Sequence, residues 1–98
     1  MFGDYIKNLR ENKGLLQREV AAFLEVDTAF ISKIERNEKS ASRNHIPKLS
    51  KLFNINESEM IKYWLAGKVY QVICDEDQKL EILKVAEKEV KYNQKISK

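Results

Sequence analysis

The sequence predicts an all-α fold, and three observations carry that expectation. Only one Pro and three Gly interrupt 98 residues, so long segments run unbroken where many short strands would need turns. Apolar residues recur at spacings of three and four, as one face of a helix requires. Residues suited to helix ends, among them Gly14, Asp27, Asn37 and Asn56, stand where those patterns break. With 43% hydrophobic and 34% charged residues, the composition is globular and not that of a disordered chain. The length suits one core with a short appendage.

The elements follow in order. A first helix is expected from about Phe2 to Lys13, with Phe2, Ile6 and Leu9 on one face and Gly14 ending it. A second spans about Gln17 to Leu24, with Val20, Ala21 and Leu24 inward. Glu25-Val26-Asp27 is then a tight turn, and Asp27 caps a third helix over about Thr28 to Arg36 that buries Ile31 and Ile34. Asn37 suits a left-handed helix end. After a polar loop from Glu38 to Arg43, Pro47 must lie in a first helical turn. A fourth helix is therefore expected from Asn44, as cap, with Ile46, Leu49, Leu52 and Phe53 buried. Asn56 with Glu59 resembles a capping box for a fifth helix reaching Cys74. Asp75 with Gln78 does the same for a sixth, ending near Tyr92 before a frayed polar tail.

Several function classes are excluded or disfavoured at this level. A lone Cys74 forms no internal disulfide, and a lone His45 has no ligand cluster at metal spacing. His45 reads as a surface residue at a helix start, and Cys74 as a half-buried hydrophobe. No nucleophile–base arrangement, glycine-rich phosphate loop or carboxylate pair is visible, so neither catalysis, a cofactor nor a metal is expected. The N-terminal stretch has no apolar run and no segment reaches membrane-spanning length, so a cytoplasmic protein without membrane association is expected.

Charge is distributed unevenly. Residues 1 to 55 hold ten Lys and Arg against seven Asp and Glu, whereas residues 56 to 98 hold eight of each. Lys33, Arg36, Lys39, Arg43, Lys48 and Lys51 face only Glu35 and Glu38 in their stretch. Such a local basic excess suits a phosphate-facing surface.

Two helices joined by a three-residue turn, with small Ala21 where steeply crossing helices approach, form the helix-turn-helix pattern. The run Gln17-Arg18-Glu19-Val20-Ala21, then Leu24, Val26, Ile31-Ser32 and Ile34-Glu35, resembles the DNA-binding domain of the lambda-type phage repressors and the small bacterial regulators related to them. The resemblance covers about residues 2 to 65 and implies a five-helix domain, here with an additional C-terminal helix. The expected division is residues 1–66 for DNA binding and 67–98 for a helical extension that dimerises.

The resemblance also implies roles. Thr28, Ala29, Ser32 and Lys33 occupy the groove-facing start of the recognition helix. Gln17 stands where relatives touch a phosphate, and Arg43 where they approach the backbone or minor groove. Arg10 and Glu35 match an ion pair tying the first helix to the third. Glu25 and Asn37 depart from the family pattern, which commonly has Gly at both; a left-handed Glu costs roughly 1 kcal/mol.

The side chains agree with this reading. Ile31 and Ile34 fix the inner face of the third helix, leaving residues 28, 29, 32, 33 and 36 outward, and an α-helix fits the major groove. Lys33 can donate to guanine, while Thr28 and Ala29 can meet a thymine methyl. Phe30 either packs on the second helix or joins those base contacts. Arg18 and Arg36 are candidates for the DNA backbone. Lys39, Ser40 and Ser42 are either phosphate contacts or a solvated loop.

The leading expectation is a transcriptional regulator that binds double-stranded DNA, at a palindromic operator, as a homodimer. Ile61, Leu65, Val69, Val72 and Ile73, with Leu80, Leu83, Ala86 and Val90, would supply apolar faces for the dimer or fold back on their own domain. The alternative is an antitoxin-type module that neutralises a partner protein and regulates its own expression through the same motif.

Overall fold

The computed structural model describes residues 1–96, and among them there are six α-helices and no strand. They are α1 (Phe2–Asn12), α2 (Gln17–Leu24), α3 (Thr28–Glu35), α4 (Ile46–Phe53), α5 (Glu57–Ile73) and α6 (Lys79–Ile96), with a single 3-10 turn at Arg43–His45 before α4. The chain forms two compact units, Met1–Lys68 and Val69–Lys98.

The first unit has one continuous core. Ile6, Val20, Ala21, Leu24, Ile31, Ile34, Ala41, Ile46, Leu49 and Met60 are almost fully buried, with Phe2, Phe53 and Trp64 at its margin. The inward residues of α2 and α3 are those that helical periodicity selects. In α4, Ile46, Leu49 and Phe53 are buried as expected, whereas Leu52 is only half-buried.

Four helices end by one device. Gly14, Glu25, Asn37 and Asn54 all have positive φ, at 73°, 60°, 61° and 55°. At each, two backbone N–H groups turn back to the preceding turn, as in Val26 N–H to Ala21 O (3.0 Å) and Glu38 N–H to Lys33 O (2.8 Å). This closure satisfies carbonyls that the helix end would orphan. Gly14 and Asn37 fit the expectation, and Glu25 does adopt the left-handed conformation that its side chain disfavours.

Three helix starts differ from the expectation. Asn44 does not cap α4. Ser42 opens the 3-10 turn, its N–H donating to His45 Nδ1 (3.2 Å), and α4 begins at Ile46 with Pro47 in its first turn. At α5, Asn56 Oδ1 accepts from the N–H and Oγ of Ser58 (2.9 and 2.6 Å), while Glu59 pairs with Lys62 (2.9 Å). The shorter Ser58 reaches the cap from one turn position earlier, so the Glu59 half of the capping box is not formed. At α6 the helix opens after Gln78, whose carbonyl takes the N–H of Ile82 (2.9 Å), and not after Asp75. The same helix also runs past Tyr92 to Ile96, so residues 93–96 are helical where a frayed tail is expected; Ser97 and Lys98 of that tail lie outside the described residues.

The buried face of α5 is also shifted. Met60, Trp64 and Gly67 are its buried positions in the first unit, with Ile61 half-buried. Leu65 is exposed. Gly67 decides this face: a Cβ there would stand 3.3 Å from Phe2 Cβ, so α1 and α5 touch where a side chain is missing. Gly3 plays the same part for α1 and α3, where a Cβ would overlap Ile34 O. In the second unit, Val69, Tyr70 and Val72 are exposed, Ile73 is buried and Cys74 is half-buried. Every residue from Leu80 to Gln94 is exposed.

Candidate nucleic-acid interface

The turn between α2 and α3 sets the geometry. Left-handed Glu25 reverses the chain, half-buried Val26 packs against the core, and Asp27 Oδ1 accepts the Phe30 N–H (2.8 Å) to cap α3. That cap fixes the first turn of α3, where Thr28 and Ala29 are exposed; further along, Ser32 is half-exposed and Lys33, in the last turn, is exposed.

Behind this face, Glu35 anchors α3. It is buried, at 4% exposure, and would be costly there without partners. Arg10 grips it bidentately, Nε to Oε2 at 2.6 Å and Nη2 to Oε1 at 3.0 Å, while Arg10 Nη1 donates to Leu15 O (2.9 Å). The hydrogen bond to Glu35 raises the Arg10 pKa above its already high value, against the opposing effect of burial. Gln17 Nε2 also donates to Glu35 Oε1 (3.0 Å). One carboxylate thus ties α1, α2 and α3 together. The Arg10–Glu35 pair is visible in the sequence; the Gln17 bond is not, because that side chain reads as surface.

Asn37 adds a second tie. Its Oδ1 accepts the Gly3 N–H (2.9 Å), satisfying a donor at the start of α1 from the end of α3.

The remaining candidates divide by how they are held. Arg36 is exposed and forks onto Glu38 (2.7 and 3.2 Å), with a further bond to Ser32 Oγ. The Arg36 hydrogen bond holds the Glu38 carboxyl below its usual range. Arg18 and Ser40 are exposed. Phe30 is half-buried against the core, with its ring edge-on to His45 (5.3 Å) and Lys39 Nζ 5.2 Å above it. Arg43 lies 5.7 Å from the Trp64 ring. Burial, and then Lys48, lower the His45 pKa, and its Nδ1 accepts the Ser42 N–H. Sequence reasoning missed Trp64 as a positioning residue: its indole N–H donates to Ala41 O (2.8 Å) and fixes the loop that follows α3.

The helix-turn-helix family model matches residues 6–60, more than half of the chain. The protein belongs to the helix-turn-helix family. This family is of the lambda-repressor-like type, so the protein is a DNA-binding helix-turn-helix regulator. Neither the curated proteins nor the solved structures give a match. Among the described residues of this helix-turn-helix protein, no helix is long and apolar enough to cross a membrane.

Proposed function

We propose that the protein is a transcriptional regulator that acts in the cytoplasm and binds a palindromic operator as a homodimer. Thr28, Ala29, Ser32 and Lys33 read base edges, and Phe30 offers a thymine methyl its exposed edge. Gln17, Arg18, Lys39, Ser40 and Arg43 hold the DNA backbone. The observation that carries this reading is the outer face of α3. Thr28 and Ala29 are exposed at the capped start of the helix and Lys33 in its last turn, and among the described residues none of their side chains is drawn into an internal hydrogen bond or ion pair. Gln17 and Arg18 sit in the first turn of α2, where backbone N–H groups lack helical acceptors and favour a phosphate. Arg36 is the weakest member, since it reaches a phosphate only by leaving Glu38.

The dimer reading rests on α6. Leu80, Val85, Val90 and Tyr92 are 69%, 60%, 57% and 61% exposed, and Ile82, Val85 and Ala86 line one apolar groove. One recognition helix covers too few base pairs for a strong preference, and a two-fold pair spaces two of them by roughly 34 Å, one DNA turn.

Selection from a randomised duplex pool tests the reading. Two short inverted half-sites are expected, and Lys33→Ala should relax one position in each, at a cost of about 1 to 3 kcal/mol. An unchanged site profile in that variant would sink the assignment. Light scattering on the full chain checks the dimer, and a monomer at working concentration would overturn it. The same exposed α6 face favours a second reading, the antitoxin-type module, whose mark is a stoichiometric partner protein that co-purifies and displaces the homodimer.

A further inference from the structure

Charged and aromatic side chains hold cations of this protein in two ways. Arg10, Arg36, Lys48, Lys62 and Lys91 each pair with a carboxylate. Lys39, Arg43 and Lys68 lie over aromatic rings, and among the described residues these are the only cation–ring contacts. The two kinds of partner differ in what they leave over. A carboxylate positions a cation and cancels its charge. A ring face positions a cation through its quadrupole and leaves the charge whole. A surface that must neutralise phosphates needs the second kind.

Trp64 is the platform for two of the three. Its ring is 8% exposed and is locked by the indole N–H bond to Ala41 O. Arg43 reaches it from the loop after the recognition helix, and Lys68 from α5, with Nζ 4.6 Å from the ring centre. The two distances place the charges no further than roughly 10 Å apart, about one screening length at 0.1 M salt. They therefore act on a phosphate row as one patch. Among the described residues neither has a carboxylate partner, and the helical neighbours of Lys68 (Trp64, Leu65, Gln71 and Val72) include no acid. The patch continues toward α3. His45, two residues from Arg43, stands edge-on to Phe30, which carries Lys39. Lys68 lies beyond the matched family segment, which stops at residue 60.

We infer that Lys68 is a further contact to the DNA backbone and that Trp64 positions it together with Arg43. The inference rests on the proposed entry of α3 into the major groove. A phosphate contact carries orientation and salt dependence and no base information, which fixes what its loss must look like.

The test uses the full chain and two duplexes: one selected by the wild type from a randomised pool, and one of scrambled sequence. Lys68→Met keeps the stem on the ring and removes the charge. Its salt slope, log affinity against log salt, should shrink by about 0.9. Affinity at low salt should fall several-fold on both duplexes, and Lys68→Arg should restore both quantities. Trp64 is the sole Trp. Its emission should change when wild type meets the selected duplex, and change less in Lys68→Met. Equal melting midpoints show that the variants are folded. A wild-type salt slope in Lys68→Met overturns the Lys68 contact alone. An altered base preference in that variant overturns the phosphate role. A wild type that selects no duplex overturns the DNA-entry reading, and this inference with it.

Discussion

The first unit and α6 contain apolar residues at the same helical spacings and use them in opposite ways. In the first unit, Ile6, Val20, Ile31, Ile46 and Met60 are 0 to 2% exposed. In α6, Leu80, Val85 and Val90 stay more than half exposed. Burying such a side chain is worth roughly 1.5 to 3 kcal/mol, so the first unit has drawn that stabilisation from its own chain and α6 has not. The difference teaches that periodicity reports which face of a helix wants cover, and nothing about who provides it.

That contrast can be broken at its strongest joint first. Arg10→Ala leaves Glu35 buried with Gln17 as its remaining partner, and should cost about 3 to 5 kcal/mol. Chemical denaturation measures this, and an unchanged midpoint would show that the three-helix tie is ornamental. Gly3→Ala comes next. The added Cβ overlaps Ile34 O and stands 2.5 Å from Asn37 Oδ1, so α1 must move off α3, at about 1 to 3 kcal/mol. Melting by circular dichroism follows it, and a neutral result would mean that the first turn of α1 is not docked.

Glu25→Gly tests a smaller term with the opposite sign. It relieves the left-handed backbone but frees the unfolded chain and removes the exposed pair with Lys48 (3.1 Å). A net gain of about 0.5 kcal/mol is expected in the same denaturation assay. Val90→Ser sharpens the comparison from the other side. At low concentration, where a dimer dissociates, its melting midpoint should match the wild type, with a change within about 0.5 kcal/mol. At high concentration it should lose the concentration-dependent part of its stability. A large loss at both concentrations would place Val90 in a monomer core.

Legibility in the sequence follows the range of each interaction. Asp27, Gly14 and Asn37 act on their own helix ends, so residue type and position are enough to read them. The Arg10–Glu35 pair becomes legible through the family pattern. The face of α5 is not legible, because Met60, Ile61, Trp64, Leu65, Val69 and Val72 distribute apolar character around the helix. Contacts made in the fold, Gly67 with Phe2 and the Trp64 indole with Ala41 O, select the Met60–Trp64 side. Gln17 bound to Glu35, and Arg43 over Trp64, leave no local trace either, because each depends on segments that meet only after folding; Lys68 over Trp64 is by contrast a pair one turn apart within α5.

Asn37 shows how far such a meeting can narrow the choice of letter. Its backbone must take a positive φ, its Oδ1 must accept the Gly3 N–H, and its Nδ2 faces Asp4 Oδ2 at 3.4 Å. Glycine would meet the first demand and fail the second. Aspartate would meet the second and set two anions against each other at Asp4. Serine would reach neither partner from a left-handed backbone without strain. Position 37 is therefore a three-way lock that one amino acid opens. A variant library randomised there and sorted for folded protein should return to asparagine, although the side chain is polar and only half-buried.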